Sequence, residues 1–144
     1  MDKYQHPSLG TLFLEDDQWL TEEGEVTFVD EVIRIVFARG TEEGPSDASL
    51  EGFEWIDANW SKVLTLIEDQ AFEFYQSYDN SVEEFPEFAK PADIWGSEYL
   101  LGLRIFSPEE FEVTLQFDWQ EEDDEHEITF YIEEGECNSY SRDG

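Results

Sequence analysis

The chain has 144 residues, a length typical of one domain, and its 38 Asp and Glu outnumber 7 Lys and Arg to give a net charge of −31. A hydrophobic fraction of 40% and an aromatic fraction of 16% exceed those of a disordered acidic tail, so we predict one folded domain over residues 1–144. Charge of this sign repels nucleic acid and anionic membranes and favours a basic protein as a partner.

Location and cysteine chemistry follow from simple patterns. No apolar run approaches the length of a membrane-spanning helix, and the N-terminal MDKYQHPSLG lacks the charged-then-apolar pattern of a signal peptide. We therefore expect a cytoplasmic protein. Cys137 is the only cysteine, which excludes an intrachain disulfide. We interpret it as a buried or half-buried bystander, because no histidine lies near it in sequence.

The first half of the chain predicts strands. Residues Leu9 to Leu14 form a short strand that Glu15-Asp16-Asp17 ends. In GEVTFVDEVIRIVFARG, apolar residues alternate on both sides of Asp30-Glu31, which indicates a β-hairpin. The segment TEEGPSDAS then combines Gly, Pro and capping residues, so a helix is expected to begin near Ser46 to Ser49.

One long helix from Leu50 to Tyr78 is the clearest predicted element. Its apolar residues recur every three or four positions and form one stripe: Ile56, Trp60, Val63, Ile67, Ala71, Phe74 and Tyr78. Gly52 weakens the first turns, which moves the expected start toward Glu54. We interpret the aromatic stripe as core packing against a sheet rather than as a ligand site.

The second half predicts a meander of three or four strands. The alternating apolar positions are Leu101, Leu103 and Ile105; then Phe111, Val113, Leu115, Phe117 and Trp119; then Ile128, Phe130 and Ile132. Gly135 turns the chain toward a final strand near Cys137 to Ser141. Between the first two runs, Ser107-Pro108-Glu109-Glu110 has capping-box chemistry, which predicts a single helical turn.

These elements together predict an α+β fold with an antiparallel sheet of about six or seven strands. N-terminal strands precede one long helix, a C-terminal meander follows, and the helix packs on one face. Antiparallel pairing is expected because the links within each group have hairpin length. Since the strands alternate, the other sheet face is expected to meet water or a partner.

The acidic stretch WQEEDDEHEITF could suggest a metal site. Residues Glu121 to Glu125 have the charge of a calcium loop but lack its turn-forming glycine. Strand parity places His126 on the core side and Glu125 and Glu127 on the other, so the three do not converge. We predict a solvated hairpin turn with no metal ion and no cofactor. No H-E-x-x-H, G-x-S-x-G or phosphate-binding glycine loop occurs, so we assign no catalytic residues and predict a protein that is not an enzyme.

The order of motifs carries a family resemblance. HPSLGTL with a Trp at position 19, the hairpin GEVTFVDEVIRIVF, one long helix and the closing FEVTLQFDW and EHEITFYIEEGE resemble small acidic bacterial α+β domains. Some of those domains are encoded beside polymorphic toxins and resemble immunity proteins. This resemblance implies an interaction role.

We therefore weigh three functions. The first is a non-enzymatic interaction module, of which an immunity-like protein that neutralises a basic toxin or nuclease is one example. The second is a housekeeping domain whose acidity serves solubility or salt adaptation, and the third is an enzyme. Candidate partner-binding residues, which strand parity places on the open sheet face, are Glu112, Asp118, Glu127 and Glu133, with Arg34 and Arg104. The pattern specifies no oligomeric state.

Overall fold

The computed structural model of the chain describes residues 3–21, 26–28, 31–78, 87–120 and 126–143. The N-terminal strands are β1 (Lys3–His6), β2 (Gly10–Glu15), β3 (Gln18–Thr21), β4 (Val26–Phe28), β5 (Glu31–Phe37), β6 (Gly40–Thr41) and β7 (Gly44–Pro45). Helices α1 (Asp47–Ala58) and α2 (Trp60–Ser77) and a 3₁₀ turn at Pro91–Ile94 come next. The C-terminal strands are β8 (Glu98–Ser107), β9 (Glu110–Phe117), β10 (Glu127–Glu133) and β11 (Glu136–Asp143).

Within the described ranges, nine strands form one sheet, in the order β1-β2-β3-β5-β8-β9-β10-β11, with β4 also paired to β5. Strands β6 and β7 form a separate two-stranded ribbon. The α+β class is confirmed, but the prediction of six or seven strands is too low. It missed β1 and β3, which have four residues each and little periodicity to detect. Asp16 and Asp17, with φ of 50° and 66°, form the tight turn that joins β2 to β3.

The prediction of a wholly antiparallel sheet is wrong, because β5 and β8 pair in parallel. Arg34, Ile35, Val36 and Phe37 lie opposite Gly102, Leu103, Arg104 and Ile105. Short links join neighbouring strands only within the N-terminal group and within the C-terminal group, and the described pairs inside each group are antiparallel as predicted. Between β5 and β8 the chain runs through both helices, and a crossover of this length permits parallel neighbours.

Helix α1 begins at Asp47, which confirms the predicted start near Ser46 to Ser49, whereas the later start near Glu54 that Gly52 suggested is wrong. The Ser46 side chain accepts a hydrogen bond from Ser49 N at 3.2 Å, so this cap starts the helix at Asp47. Gly52 is buried inside the helix, and a Cβ atom there would lie 2.5 Å from Ile105 Cγ2 and 2.9 Å from the Ser107 carbonyl oxygen. The glycine therefore allows close approach of α1 to β8.

The predicted single helix is two helices, separated at Asn59. The Asn59 side-chain amide donates to the Trp55 carbonyl at 2.9 Å, whereas its backbone N–H bonds to the Ile56 carbonyl at 3.2 Å. The side chain thus takes the acceptor that the backbone would use in a continuous α-helix. Because Ile56 and Trp60 keep the helical spacing across the break, hydrophobic periodicity does not reveal it.

The core lies between the helices and one face of the sheet, here called the inner face. The predicted stripe is confirmed at Ile56, Val63, Ile67, Ala71, Phe74 and Tyr78, all of which are buried, whereas Trp60 is half-buried. The sheet contributes Phe111, Val113, Leu115, Phe117, Ile128, Phe130 and Ile132, as the alternation predicted. Aromatic rings form much of this core, with Trp119 stacked on Phe117 at 4.9 Å and 5.5 Å from Phe74.

Two local predictions for β8 are corrected. Leu100, Leu103 and Ile105 are its buried apolar residues, because the register shifts between Leu100 and Gly102 and leaves Leu101 half-buried. The Ser107 to Glu110 stretch is a hairpin turn rather than a helical turn. Its serine still performs the predicted capping chemistry, since Ser107 Oγ accepts from the N–H groups of Glu109 and Glu110 at 3.2 and 3.1 Å.

Replacing Ile67 by Asp should destabilise the fold by about 3 to 5 kcal/mol, because it places an unpaired charge in the core. The side chain of Ile67 is fully buried on α2. Urea denaturation of the variant measures the loss. Thr65→Asp, which adds the same charge at an exposed position of the same helix, is the control. Equal stability of the two variants would contradict the assigned core face.

Gly52→Ala should also lower the free energy of unfolding, by about 1 to 3 kcal/mol, although alanine is the better helix former. The added methyl group would overlap Ile105 and the Ser107 backbone. Asp57→Ala, an exposed substitution on α1, serves as the control in the same denaturation experiment. A more stable Gly52→Ala protein would show that α1 does not approach β8 this closely.

Candidate functional site

The side of the sheet opposite the inner face carries the candidate site. It is called the open face and includes these outward residues of β5, β8, β9 and β10: Arg34, Val36, Gly102, Arg104, Phe106, Glu112, Thr114, Glu127, Thr129, Tyr131 and Glu133. Neither α1 nor α2 covers these residues, since their buried side chains meet the inner face. The predicted division into a covered and an uncovered face is therefore present in the described part of the chain.

A groove of about 380 Å³ runs across the middle of the open face. This central groove is lined by Arg34 and Val36 of β5, Leu101, Gly102 and Arg104 of β8, Glu112 and Thr114 of β9, and Glu127 of β10. Gly102 lies between Arg34 and Thr114 in the strand register. Because this central position has no side chain, the strands on either side form the walls of a depression.

Arg104 and Glu112 are cross-strand neighbours in the central groove, with Nη1 and Oε2 3.6 Å apart. Burial raises the pKa of the Glu112 carboxyl above its ordinary value; the Arg104 charge opposes that rise and the Glu110 carboxylate adds to it. The Glu112 side chain is only 23% exposed. This carboxylate is therefore partly desolvated and incompletely compensated by its neighbour, so a second cation would stabilise its charged form.

Three arginines on or beside the open face differ in how they are held. The guanidinium groups of Arg39 and Arg104 both lie 5.1 Å from the centre of the Phe106 ring. Arg34 is exposed and makes no ion pair or ring contact with the described residues. The central groove thus contains Arg104, which contacts Phe106 and Glu112, together with carboxylates and Arg34, which has no such contact among the described residues.

Four of the six predicted partner-binding residues meet in the central groove: Arg34, Arg104, Glu112 and Glu127. Glu133 lies at the other end of β10, in a small depression that Glu112 also lines. Asp118 is outside both, because β9 ends at Phe117 and the Asp118 backbone N–H turns to the Ser97 carbonyl. Strand parity located the face, but it could not show where the strand ends. Sequence reasoning also missed Arg39, Phe106 and Gly102; a glycine in the middle of a strand was the available signal.

The other reactive residues lie apart from the central groove. The prediction that His126 points toward the core is wrong, since β10 begins at Glu127 and His126 is exposed. Cys137 is half-buried, as predicted, and burial raises the pKa of its thiol to about 11. No group of three metal-binding side chains occurs among the described residues, and the predicted solvated turn at residues 121–125 lies outside them.

His6 is a buried titratable residue that the sequence patterns did not single out. Its Nδ1 accepts hydrogen bonds from the N–H groups of Ser8 and Leu9 at 3.0 and 3.2 Å. Its ring centre is 5.8 Å from that of Phe37 and 5.4 Å from that of Phe53. Burial lowers the pKa of His6 below 6.5, and the nearby Glu54 carboxylate only partly offsets this effect. The geometry therefore indicates a structural role for the neutral imidazole.

The His6 environment predicts a pH dependence of stability. Because the folded-state pKa lies below the unfolded value of 6.5, the unfolded chain binds the proton more readily. His6 makes its full contribution to the free energy of unfolding above about pH 6.5. This contribution declines as the pH falls through the folded-state pKa, by at most about 1.4 kcal/mol per pH unit. His6→Asn keeps a side-chain acceptor but does not titrate. Urea denaturation is measured at pH 7.5 and at about 5.5. The free energy of unfolding should fall more for the parent than for this variant, because the carboxylates titrate in both proteins but His6 titrates only in the parent. Equal losses would contradict the assignment.

The described residues define a mixed-sheet α+β domain in which neither α1 nor α2 covers one face of the sheet. The chain belongs to the family described as a domain of unknown function, DUF6985, whose model matches residues 8–140. Searches of curated proteins and of solved structures give no significant match. No helix in the described ranges is both long and apolar enough to cross a lipid bilayer. Membership of this family assigns no activity to the chain.

Proposed function

We propose that this domain is a non-enzymatic interaction module, of the immunity-protein type, that docks a basic toxin, nuclease or other basic protein on its open face. The observation that supports this proposal most is the central groove, where Arg34, Arg104, Glu112 and Glu127 lie together on the open face. A non-enzymatic role also agrees with the raised pKa of the Cys137 thiol, which makes it a poor nucleophile.

The charges of the open face suit a partner with a defined pattern. Glu112 is partly desolvated, so a lysine or arginine that reaches it would relieve the cost of its burial. Arg34 pairs with no carboxylate among the described residues, so an acidic residue of the docked protein could form an ion pair with it. Alternating charges of this kind specify a register and reject partners that place like charges together.

Long-range attraction would come from a different surface. The exposed side of α1 and α2 carries Asp47, Glu51, Glu54, Asp57, Asp69 and Glu73, whereas Lys62 is the only basic residue in the two helices. This acidic helix surface and the net charge of −31 would speed encounter with a basic protein at low salt. Screening over about 8 to 10 Å would remove much of that effect at physiological ionic strength.

One observation favours the alternative, a housekeeping domain whose acidity serves solubility or salt adaptation. Many carboxylates lie on the helices, away from the groove that would make specific contacts. Under this alternative, acids on every surface are equivalent.

A comparison of two charge-matched variants tests the proposal. The protein is immobilised, basic proteins are captured from host lysate at low salt, and the partner is identified by mass spectrometry. One variant combines Glu112→Gln, Glu127→Gln and Glu133→Gln; the control combines Glu51→Gln, Asp69→Asn and Glu73→Gln. Each removes three negative charges. We expect the open-face variant to bind about tenfold or more weakly than the control, chiefly through faster dissociation, because it removes direct contacts.

The parent protein should also associate more slowly as salt rises, whereas its dissociation should change little. Equal weakening by the two variants would mean that total charge matters and the open face does not. Failure to recover a basic protein at low salt would favour the housekeeping alternative.

A further inference from the structure

Another concavity lies between the helices and the tips of two hairpins. It has a volume of about 620 Å³ and is lined by Trp55, Lys62, Thr65, Leu66, Pro108 and Glu109, with Gly135 at the adjacent turn. This cleft, called the end cleft, shares no lining residue with the central groove. Small-molecule sites in proteins occupy roughly 300 to 1,000 Å³, so the end cleft has the size of a ligand site.

The walls of the end cleft are held in place by the fold. The Gly135 N–H donates to the Glu109 carbonyl at 2.9 Å, which joins the tip of the β10–β11 hairpin to that of the β8–β9 hairpin. The Trp55 ring lies 6.1 Å from the ring of Phe111, a buried residue of β9. Thr65 Oγ1 donates to the Ser61 carbonyl at 3.0 Å. A ligand would therefore meet a preformed apolar wall, and its affinity would be reduced mainly by the ordering of the exposed Lys62 and Glu109 side chains.

The lining of the end cleft combines apolar surface with two opposite charges. Trp55, Leu66 and Pro108 are each half-buried, so part of their apolar surface remains in water. Lys62 and Glu109 are both exposed. Lys62 makes no ion pair or ring contact with any residue in the described ranges, and the Trp55 indole N–H has no acceptor there. Unused polar groups beside exposed apolar surface are the usual features of a site for a small amphipathic molecule.

We propose that the end cleft binds a small zwitterion with an apolar body, of the α-amino-acid class. The ligand carboxylate pairs with Lys62, its ammonium group pairs with Glu109, and its side chain covers Trp55, Leu66 and Pro108. A ligand with only a negative charge would meet the field of a chain with net charge −31, and one with only a positive charge would meet Lys62. A zwitterion uses both charged residues and adds no net charge. This inference rests on different residues from the proposed function and stands or falls separately.

Calorimetric titration with L-phenylalanine tests the site directly. We expect saturable 1:1 binding with a Kd on the order of 0.1 to 1 mM, which suits a small ligand in an open cleft. N-acetyl-L-phenylalanine, which lacks the ammonium group, and L-phenylalaninamide, which lacks the carboxylate, should each bind about three- to fivefold more weakly, since exposed ion pairs contribute up to about 1 kcal/mol.

Matched variants identify the residues. Lys62→Gln should weaken L-phenylalanine binding about three- to fivefold, whereas Lys90→Gln, which removes an exposed cation outside the cleft, should leave it unchanged. Glu109→Gln should weaken it similarly, with Glu73→Gln as its control. Lys62→Gln should not change the affinity for L-phenylalaninamide, because that ligand has no carboxylate to pair with Lys62.

Three results would overturn the proposal. They are no saturable binding of L-phenylalanine, L-leucine or L-tryptophan up to about 10 mM, equal binding of L-phenylalanine and the uncharged 2-phenylethanol, and equal effects of Lys62→Gln and Lys90→Gln. Folding of each variant is checked by its urea denaturation, so that loss of binding is not mistaken for loss of structure.

Discussion

The parallel pairing of β5 with β8 is the constraint on which the arrangement of this domain depends. The chain forms two groups of antiparallel strands, and this pair is where the main sheet joins them. The ladder continues beyond β5, where the Ala38 N–H donates to the Ile105 carbonyl at 2.8 Å. Helix α1 then packs on β8 at Gly52, which allows the close approach. The same register places Val36 opposite Arg104 and Arg34 opposite Gly102, so it also builds the central groove.

Charge is distributed unevenly over this framework. The helices present a nearly uniform acidic surface, whereas the open face alternates cations with carboxylates around a depression. These surfaces suit different physical tasks, since uniform charge accelerates encounter and alternating charge specifies the docked geometry. A domain that uses both would attract basic proteins broadly and retain few of them. The proposal that it is an interaction module depends on this division of roles.

Local patterns in the sequence predicted most of the elements but not how they join. The spacing of Val63, Ile67, Ala71 and Phe74 identified the buried face of α2, and alternation identified the inner face of β9 and β10. Asn59 interrupts the helix without disturbing that spacing, because its side chain bonds to the backbone while the apolar stripe continues. The extra residue at Leu101 reverses the alternation in β8, which a period-two pattern cannot anticipate. Parallel pairing between distant strands leaves no local signal.

For the candidate site too, local patterns predicted which residues share a face but not where every element ends or meets another. Strand parity alone placed Arg34, Arg104, Glu112 and Glu127 on one face, and the structure brings them into one groove. Parity failed at Asp118, which lies past the last residue of β9. The end cleft could not be predicted, since its lining comes from two helices and two hairpin turns whose proximity depends on the tertiary fold.

Backbone NOEs between β5 and β8 in solution test the central claim most directly. The parallel register predicts contacts that ascend together, from Arg34 with Gly102, through Ile35 with Leu103 and Val36 with Arg104, to Phe37 with Ile105. Descending contacts, with Arg34 near Ile105 and Phe37 near Gly102, would contradict the register. They would also separate Arg34 from the middle of the open face and remove the central groove.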